Sequence, residues 1–124
     1  IGAKEIWMFG GLGGRLDHSY ANIQTLAYLL EYGVSGVLMD ENHRVSMIAD
    51  GQREKMSLAY HYLSVFAYGG VCTGVNITGA EYLLEDATLM PSFPLGCSNR
   101  HAPGEQMEVS VEHGTLLLIQ TKLS

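Results

Sequence analysis

The chain has 124 residues, of which 47% are apolar, and a formal net charge of −6. This length suits one ordinary domain or pieces of two, and the apolar fraction predicts a packed core. The seven Lys and Arg residues are scattered and exclude the basic patch of a typical nucleic-acid binder, and no apolar run is long enough to span a membrane.

The first part of the chain has the pattern of a strand, a glycine-rich turn and a helix. An apolar strand is predicted over residues 4–9, and glycines dominate residues 10–14. Residues 17–32 are predicted to form an amphipathic helix, because their apolar side chains recur at the spacing of one helix face. Asp17 is the expected N-cap, and Gly33 is the expected residue at C′, just past the helix end.

Short strands dominate the rest of the chain. Two are predicted at residues 34–39 and 44–49, with a turn at residues 40–43 between them. After residue 51 the helical period vanishes, and turn signals from Gly and Pro separate the further runs. These runs cover residues 55–58, 62–67, 71–78, 107–113 and 115–121. The pattern predicts an α+β chain whose second part is an antiparallel β-sandwich or barrel.

Arg15 and Asp17 follow the glycine-rich turn at the start of the predicted helix. Glycine lets the backbone approach an anion, and a helix N-terminus favours negative charge. Arginine binds phosphate oxygens through two parallel hydrogen bonds, and an aspartate can hold Mg²⁺ or accept a proton. Each feature also has an ordinary interpretation: a tight connection for the glycines, a surface ion pair for Arg15 and a helix cap for Asp17.

The combination of these residues resembles the thiamine pyrophosphokinase family. Members carry the word Gly-Gly-Arg-x-Asp-His at such a turn, with an Asn four residues after the His. Here the word reads Gly13, Gly14, Arg15, Leu16, Asp17 and His18, followed by Asn22. The resemblance implies that Asp17 and Arg15 are catalytic and that Asp17 is a magnesium ligand. It also implies an ATP-binding role for Gly13, Gly14, Arg15, His18 and Asn22.

Two downstream words resemble those that form the family's thiamine pocket. Residues 78–84 are similar to Gly-Leu-Lys-Tyr/Trp-x-Leu, and residues 96–99 match Gly-x-Ser-Asn. The resemblance implies that Tyr82 stacks on thiamine and that Ser98 and Asn99 contact its pyrimidine side, in a pocket between two subunits. Without the resemblance, Tyr82 reads as a core residue, and Ser98 and Asn99 read as turn residues.

Four positions depart from the family pattern near this pocket. Ala80 and Glu81 replace the usual Leu and Lys, and Leu83 stands where bacterial members often have Pro. Arg100 stands where an acidic residue is common. These departures concern the fine shape of the pocket.

The resemblance implies an enzyme that transfers pyrophosphate from ATP to the hydroxyl of thiamine, with Mg²⁺, in a cytoplasmic homodimer. Residues 1–58 would be the C-terminal part of an α/β ATP-binding catalytic domain, and residues 59–124 a β-sandwich that binds thiamine. The family's other acidic motifs lie in an N-terminal half, so we expect this fragment to be inactive alone. The alternatives are a non-catalytic dimeric thiamine-binding module and a phosphate-binding module.

Overall fold

The computed structural model of the chain describes residues 5–10 and 15–122. In this part of the chain, one helix accompanies a six-stranded and a four-stranded β-sheet, so the predicted α+β class is confirmed. The helix is α1 (Leu16–Glu31), and the strands are β1 (Glu5–Phe9), β2 (Ser35–Met39), β3 (His43–Ala49), β4 (Arg53–Lys55), β5 (Tyr62–Ala67), β6 (Cys72–Thr78), β7 (Leu84–Leu89), β8 (Gly96–Asn99), β9 (Glu108–Ser110) and β10 (Thr115–Thr121). Within the same residues, no helix is long and apolar enough to cross a membrane.

The helix begins one residue earlier than its sequence pattern predicts. Arg15 is the N-cap, with an extended backbone and no capping hydrogen bond from its side chain, so the predicted N-cap at Asp17 is wrong. Asp17 lies in the first turn instead, where a carboxylate is stabilised by the helix dipole. The predicted stop is confirmed, because Gly33 follows the C-cap Tyr32 with a φ of +72°, a conformation that glycine adopts without steric cost.

The six-stranded sheet has the order β1-β2-β3-β10-β5-β8. The pair β1–β2 is parallel, as the predicted strand–helix–strand unit requires, and every other pair in the sheet is antiparallel. One row of paired residues crosses the whole sheet: Phe9, Met39, Arg44, Gln120, Leu63 and Asn99. Its two ends are separated by five strand spacings, or roughly 24 Å.

The two faces of this sheet pack against different partners. On one face, Leu38 and Val45 are buried against Leu26 of α1. On the other face, a second core joins the six-stranded sheet to the four-stranded sheet, which has the order β4-β9-β6-β7. Its largest fully buried side chains include Leu63, Ile77, Leu89, Leu116 and Leu118. Each such side chain contributes about 1.5–3 kcal/mol to stability, so this shared core is the main support of the β-region.

Two edge strands were missed by the sequence analysis. Strand β7 is the edge of the four-stranded sheet and has a register shift and a positive φ at Asp86; β8 is the edge of the six-stranded sheet and has a positive φ at Ser98. An edge strand that is bent and partly exposed shows little alternation of apolar and polar residues. The run predicted at residues 55–58 is instead the strand β4, which ends at Lys55.

Strand β10 pairs with both β3 and β5. Residues 1–58 and 59–124 therefore share one sheet, and their division into two domains stays a prediction.

Candidate functional site

Two exposed charges lie at the start of α1. The Nη2 atom of Arg15 donates a hydrogen bond to Oδ2 of Asp17 at 2.7 Å, and the two side chains are 69% and 62% exposed. The other carboxylate oxygen of Asp17 accepts a bond from the backbone N–H of His18. An exposed ion pair of this kind contributes about 0.2–1 kcal/mol. Breaking this ion pair so that Arg15 or Asp17 can bind a ligand therefore costs little free energy.

The other predicted members of this group are only partly defined by the structure. His18 is exposed and Asn22 is half-buried in α1, with Asn22 one turn beyond His18. The prediction for Gly13 and Gly14, and for the glycine-rich turn, falls on residues 11–14, which lie outside the described residues. At the start of that turn, the N–H of Gly10 donates to the carbonyl of Met39 at the end of β2. Gly10 therefore lies at the carboxyl end of β1, still bonded to the end of β2.

Asp40 is a second carboxylate near the end of β2. It accepts hydrogen bonds from the N–H groups of Asn42 and His43 and contacts Nδ1 of His43 at 3.1 Å. Burial raises the pKa of Asp40, but these hydrogen bonds together lower it below its ordinary value. The predicted turn at residues 40–43 is thus confirmed. The oxygens of Asp40 serve the turn, so Asp40 is not assigned to a ligand.

The residues near Asp17 limit what metal it can hold. The described part of the chain contains no group of three or more His, Cys, Asp or Glu side chains arranged around a metal position. Mg²⁺ is commonly bound by one or two carboxylates together with phosphate oxygens of a substrate and water. The exposed carboxylate of Asp17 fits this pattern as a single protein ligand, and it does not fit a metal cage made of protein alone.

Tyr82, Ser98 and Asn99 are brought together at the other edge of the six-stranded sheet. Asn99 is only 4% exposed, whereas Tyr82, in the connection between β6 and β7, is 69% exposed. The side-chain oxygen Oδ1 of Asn99 accepts the N–H of Tyr82 at 3.0 Å, and Nδ2 donates to the carbonyl of Tyr82 at 2.6 Å. The interpretation of Tyr82 as a core residue is wrong, because its ring faces solvent.

A small cavity lies beside Tyr82. Its volume is about 60 Å³, and its lining includes Tyr82, Leu95, Gly96, Cys97 and Asn99. This volume can admit water but is far below the roughly 300–1,000 Å³ of a typical small-molecule pocket, so the cavity alone does not hold thiamine. Tyr82, which is 69% exposed, forms part of its wall.

Ser98 has a strained backbone next to this cavity. Its φ is +58°, and its N–H donates to Oγ of Ser64 at 3.0 Å. The left-handed conformation costs a residue with a Cβ about 1–2 kcal/mol, and such strain is concentrated at functional sites. Cys97, a free and exposed thiol, contacts the same Oγ of Ser64 at 3.5 Å.

Gly79 is required for the turn that presents Tyr82. Its φ is +66°, and a Cβ at this position would lie 2.1 Å from the backbone oxygen of Gln106. No other residue fits there without moving the backbone. Gly79, the glycine of the motif at residues 78–84, is therefore required for the backbone conformation of this turn, which the local sequence pattern alone did not reveal.

Two of the departures from the family pattern contact each other. Oε2 of Glu81 lies 3.0 Å from Nη2 of Arg100 and accepts a hydrogen bond from its Nε, and this bond raises the pKa of Arg100. The backbones are also joined, since the N–H of Glu81 donates to the carbonyl of Arg100. At the position of Glu81 the family usually has a positive Lys, and at the position of Arg100 it commonly has an acidic residue. Both charges are therefore reversed in this chain, at two positions that contact each other. This joint reversal of charge was the signal in the sequence that the two side chains make contact.

The predicted site residues form two groups and not one. The group at α1 follows β1, and the group around Tyr82 contacts β8, at the opposite edge of the same sheet. Phe9 and Asn99 end the same row of paired residues, so both groups lie at the same end of the strands. Within one chain, however, the edge strands beside which they lie are separated by roughly 24 Å along the sheet.

A family model described as the vitamin B1 binding domain of thiamin pyrophosphokinase matches residues 43–116. This match includes Tyr82, Ser98 and Asn99 and excludes Arg15 and Asp17. A search of curated proteins finds no match.

Several solved structures have the same fold. The thiamine pyrophosphokinase of Bacillus subtilis is 24% identical with a TM-score of 0.88, over 98% of this chain and 57% of the other. The enzyme of Geobacillus thermodenitrificans is 22% identical with a TM-score of 0.82, over 98% of this chain and 56% of the other. The yeast enzyme is 15% identical with a TM-score of 0.74, over 93% and 39%. The chain therefore spans little more than half the length of the bacterial proteins that it resembles.

Proposed function

The chain belongs to the thiamin pyrophosphokinase family, whose vitamin B1 binding domain it contains, and on this premise we propose that its full-length parent is a thiamine diphosphokinase. The enzyme transfers the pyrophosphoryl group of ATP to the hydroxyl of thiamine, which gives thiamine diphosphate and AMP. One observation carries the proposal: within the matched region, the buried Asn99 holds the backbone of a tyrosine whose ring is exposed beside a cavity. We place the reaction in the cytoplasm.

The group around Tyr82 is the thiamine half of the site. The two sheets form a β-sandwich, and the pocket opens at its edge beside β8. The ring of Tyr82 offers a face to the cationic thiazolium or the pyrimidine of thiamine, a contact worth about 0.5–2 kcal/mol. Ser98 is exposed and lies between Cys97 and Asn99, which line this cavity, and its hydroxyl would supply a hydrogen-bonding group.

The group at the start of α1 is the ATP half. Arg15 contacts phosphate oxygens, and the backbone at Gly13 and Gly14, with His18 and Asn22, completes the ATP contacts. Asp17 is the ligand that this chain gives to Mg²⁺, and it orients the attacking hydroxyl of thiamine. Magnesium, when bound, neutralises charge on the phosphates. The remaining ligands come from ATP, water and acidic residues of the N-terminal half. The 124-residue fragment is therefore inactive alone.

The separation of the two halves supports a homodimer. A hydroxyl must come within about 3–3.5 Å of the phosphorus that it attacks, and roughly 24 Å across the sheet is farther than thiamine extends. The halves of one chain cannot meet on one substrate in this arrangement. A second subunit, joined through the β-region, brings its own Asp17 to the Tyr82 of the first.

The alternative is a non-catalytic module that binds thiamine or phosphate. It is favoured by the single exposed carboxylate of Asp17, which lies outside any metal-holding group in the residues that the structure describes.

The test is an assay of the full-length parent with thiamine, ATP and Mg²⁺, in which AMP and thiamine diphosphate are quantified together. Equal amounts of the two products are expected, and omission of thiamine should abolish AMP formation. Release of ADP, or thiamine binding without AMP formation, would contradict the enzyme and favour the binding module. The 124-residue chain, assayed in parallel, should produce neither product.

A further inference from the structure

The amide of Asn99 is committed to the backbone. Its Oδ1 accepts two N–H groups, from Tyr82 at 3.0 Å and from Arg100 at 2.9 Å, while its Nδ2 donates to the carbonyl of Tyr82. With the side chain 4% exposed, both ends of the amide are already used by the protein. A ligand could reach only the second N–H of Nδ2 without displacing one of these buried bonds, and displacing one is costly.

Tyr82 needs such a partner because it lies between two strands. It follows β6 and precedes β7, and both of its backbone polar groups bond to the side chain of Asn99. The amide thus takes the place of a neighbouring strand at this single residue. The backbone is fixed while the ring remains 69% exposed.

We propose that Asn99 is a positioning residue that acts through Tyr82, and not a group that contacts thiamine. This inference rests on the proposed function, in which the ring of Tyr82 binds thiamine. Asn99 fixes the backbone from which the ring projects, so the ring meets the ligand already ordered and the binding cost of ordering it falls. The buried side chain of Asn99 thereby affects how tightly the exposed ring of Tyr82 binds thiamine.

The chain offers a matched control in Asn76 of β6. Its Oδ1 accepts the N–H of Asp86 at 2.9 Å, and its Nδ2 donates to the carbonyl of Gly74 at 3.3 Å. This amide also bridges backbone groups, but the residues it holds do not line the cavity beside Tyr82. Asn→Asp at either position replaces the donating Nδ2 with a carboxylate oxygen that faces a backbone carbonyl. Both variants therefore lose the same kind of hydrogen bond and gain the same charge.

The experiment uses the full-length parent and its variants Asn99→Asp, Asn76→Asp and Tyr82→Ala. A double variant combines Asn99→Asp with Tyr82→Ala. Thiamine and ATP are titrated at a temperature at which each protein is folded, and hydrogen exchange is measured at the Tyr82 amide. Asn99→Ser, which removes the amide without adding a charge, replaces the aspartate if that variant does not fold.

Asn99→Asp is expected to speed exchange at Tyr82 and to weaken thiamine binding by roughly 2- to 30-fold, without changing ATP affinity. In the Tyr82→Ala background it should cause no further loss, because its effect passes through the ring. Asn76→Asp should leave thiamine affinity within about twofold.

Equal losses in both backgrounds would overturn the inference and make Asn99 a direct ligand. Unchanged exchange at Tyr82, or faster exchange with unchanged thiamine affinity, would overturn it as well. A wild-type protein that does not bind thiamine would instead overturn the proposed function. The exchange measurement would still test whether Asn99 holds the backbone of Tyr82.

Discussion

The two halves of the proposed site are built in opposite ways. At the start of α1, Arg15 and Asp17 are both more than half exposed and are held mainly by each other. At the far edge of the sheet, Tyr82 is equally exposed, but its backbone is fixed by the buried side chain of Asn99. One half presents exposed charges at the start of a helix, and the other presents an exposed ring on a backbone that a buried side chain holds by hydrogen bonds.

This difference suits the part that each half has in the proposed reaction. The charges at α1 are suited to a ligand that brings its own strong charge and order, such as a magnesium-bound polyphosphate. A weaker and less directional contact, such as a ring on a cation, depends more on prior ordering. We therefore expect substitutions at α1 to affect turnover and substitutions around Asn99 to affect the affinity for thiamine.

The largest effect is expected when the rigid half is broken at its turn. Gly79→Ala adds a Cβ in a left-handed conformation and against the backbone of Gln106, so the free energy of unfolding should fall by roughly 2–5 kcal/mol. The matched control is Gly33→Ala, at a φ of +72° with open space around the new Cβ, which should cost only about 1–2 kcal/mol. Urea denaturation of the full-length parent measures both, and equal losses would contradict this role for Gly79.

The next effect concerns the charges at α1. Asp17→Asn in the full-length parent should lower turnover on the order of 10²-fold or more, because it removes a charge from the proposed metal–phosphate centre. Stability should change by less than about 1 kcal/mol, since the lost ion pair is exposed. Rates of AMP formation and thermal unfolding give the two values. A folded variant with near-normal AMP production would remove Asp17 from the reaction.

A smaller effect is expected from loss of the ring. Tyr82→Ala should weaken thiamine binding by roughly 2- to 30-fold, the equivalent of a ring–cation contact. The affinity for ATP should hardly change, because we propose that the phosphates of ATP bind at the other half. Calorimetric titration with each ligand separately measures both affinities. Equal weakening for both ligands would show that the two halves are not independent.

The smallest effect concerns Glu54, a carboxyl in neither half. Burial raises the pKa of Glu54, although Oγ of Ser46 donates a hydrogen bond to it at 2.9 Å. The folded protein thus binds this proton more tightly than the unfolded chain, so stability falls as pH rises from the ordinary pKa of Glu through the raised value.

Glu54→Gln keeps an oxygen for Ser46 and removes the charge, so it should flatten this fall and raise stability at pH 7. Denaturant titrations from pH 4 to pH 8 measure the slope, and a fall as steep as that of the wild type would contradict the assignment.

The fold could be predicted from the sequence where its elements are regular. The helix end at Gly33 and the strands β5 and β10 were located because their side chains alternate or repeat against a core. Strands β7 and β8 were not predicted, since as bent edge strands they are shaped by positive φ angles at Asp86 and Ser98 that no short pattern encodes.

The candidate site could be predicted as a set of residue types but not as an arrangement. Tyr82 and Asn99 were singled out, yet their direct contact joins residues 17 positions apart and depends on the path of the chain between β6 and β8. The pairing of Glu81 with Arg100 was likewise visible only when the two backbones were seen side by side. Local patterns identify chemistry, whereas roles depend on which segments the topology brings together.

The most direct test of the account is complementation between subunits. Asp17→Asn and Tyr82→Ala full-length chains, each impaired alone, are co-expressed with different tags, and kcat/KM for thiamine is measured on the mixture. If each site combines Asp17 of one subunit with Tyr82 of its partner, mixed dimers retain one unaltered site. About half of randomly formed dimers are mixed, so they should add about a quarter of the wild-type value to the residual activity of the two homodimers. A value no higher than the average of the two single variants would contradict a site shared between chains.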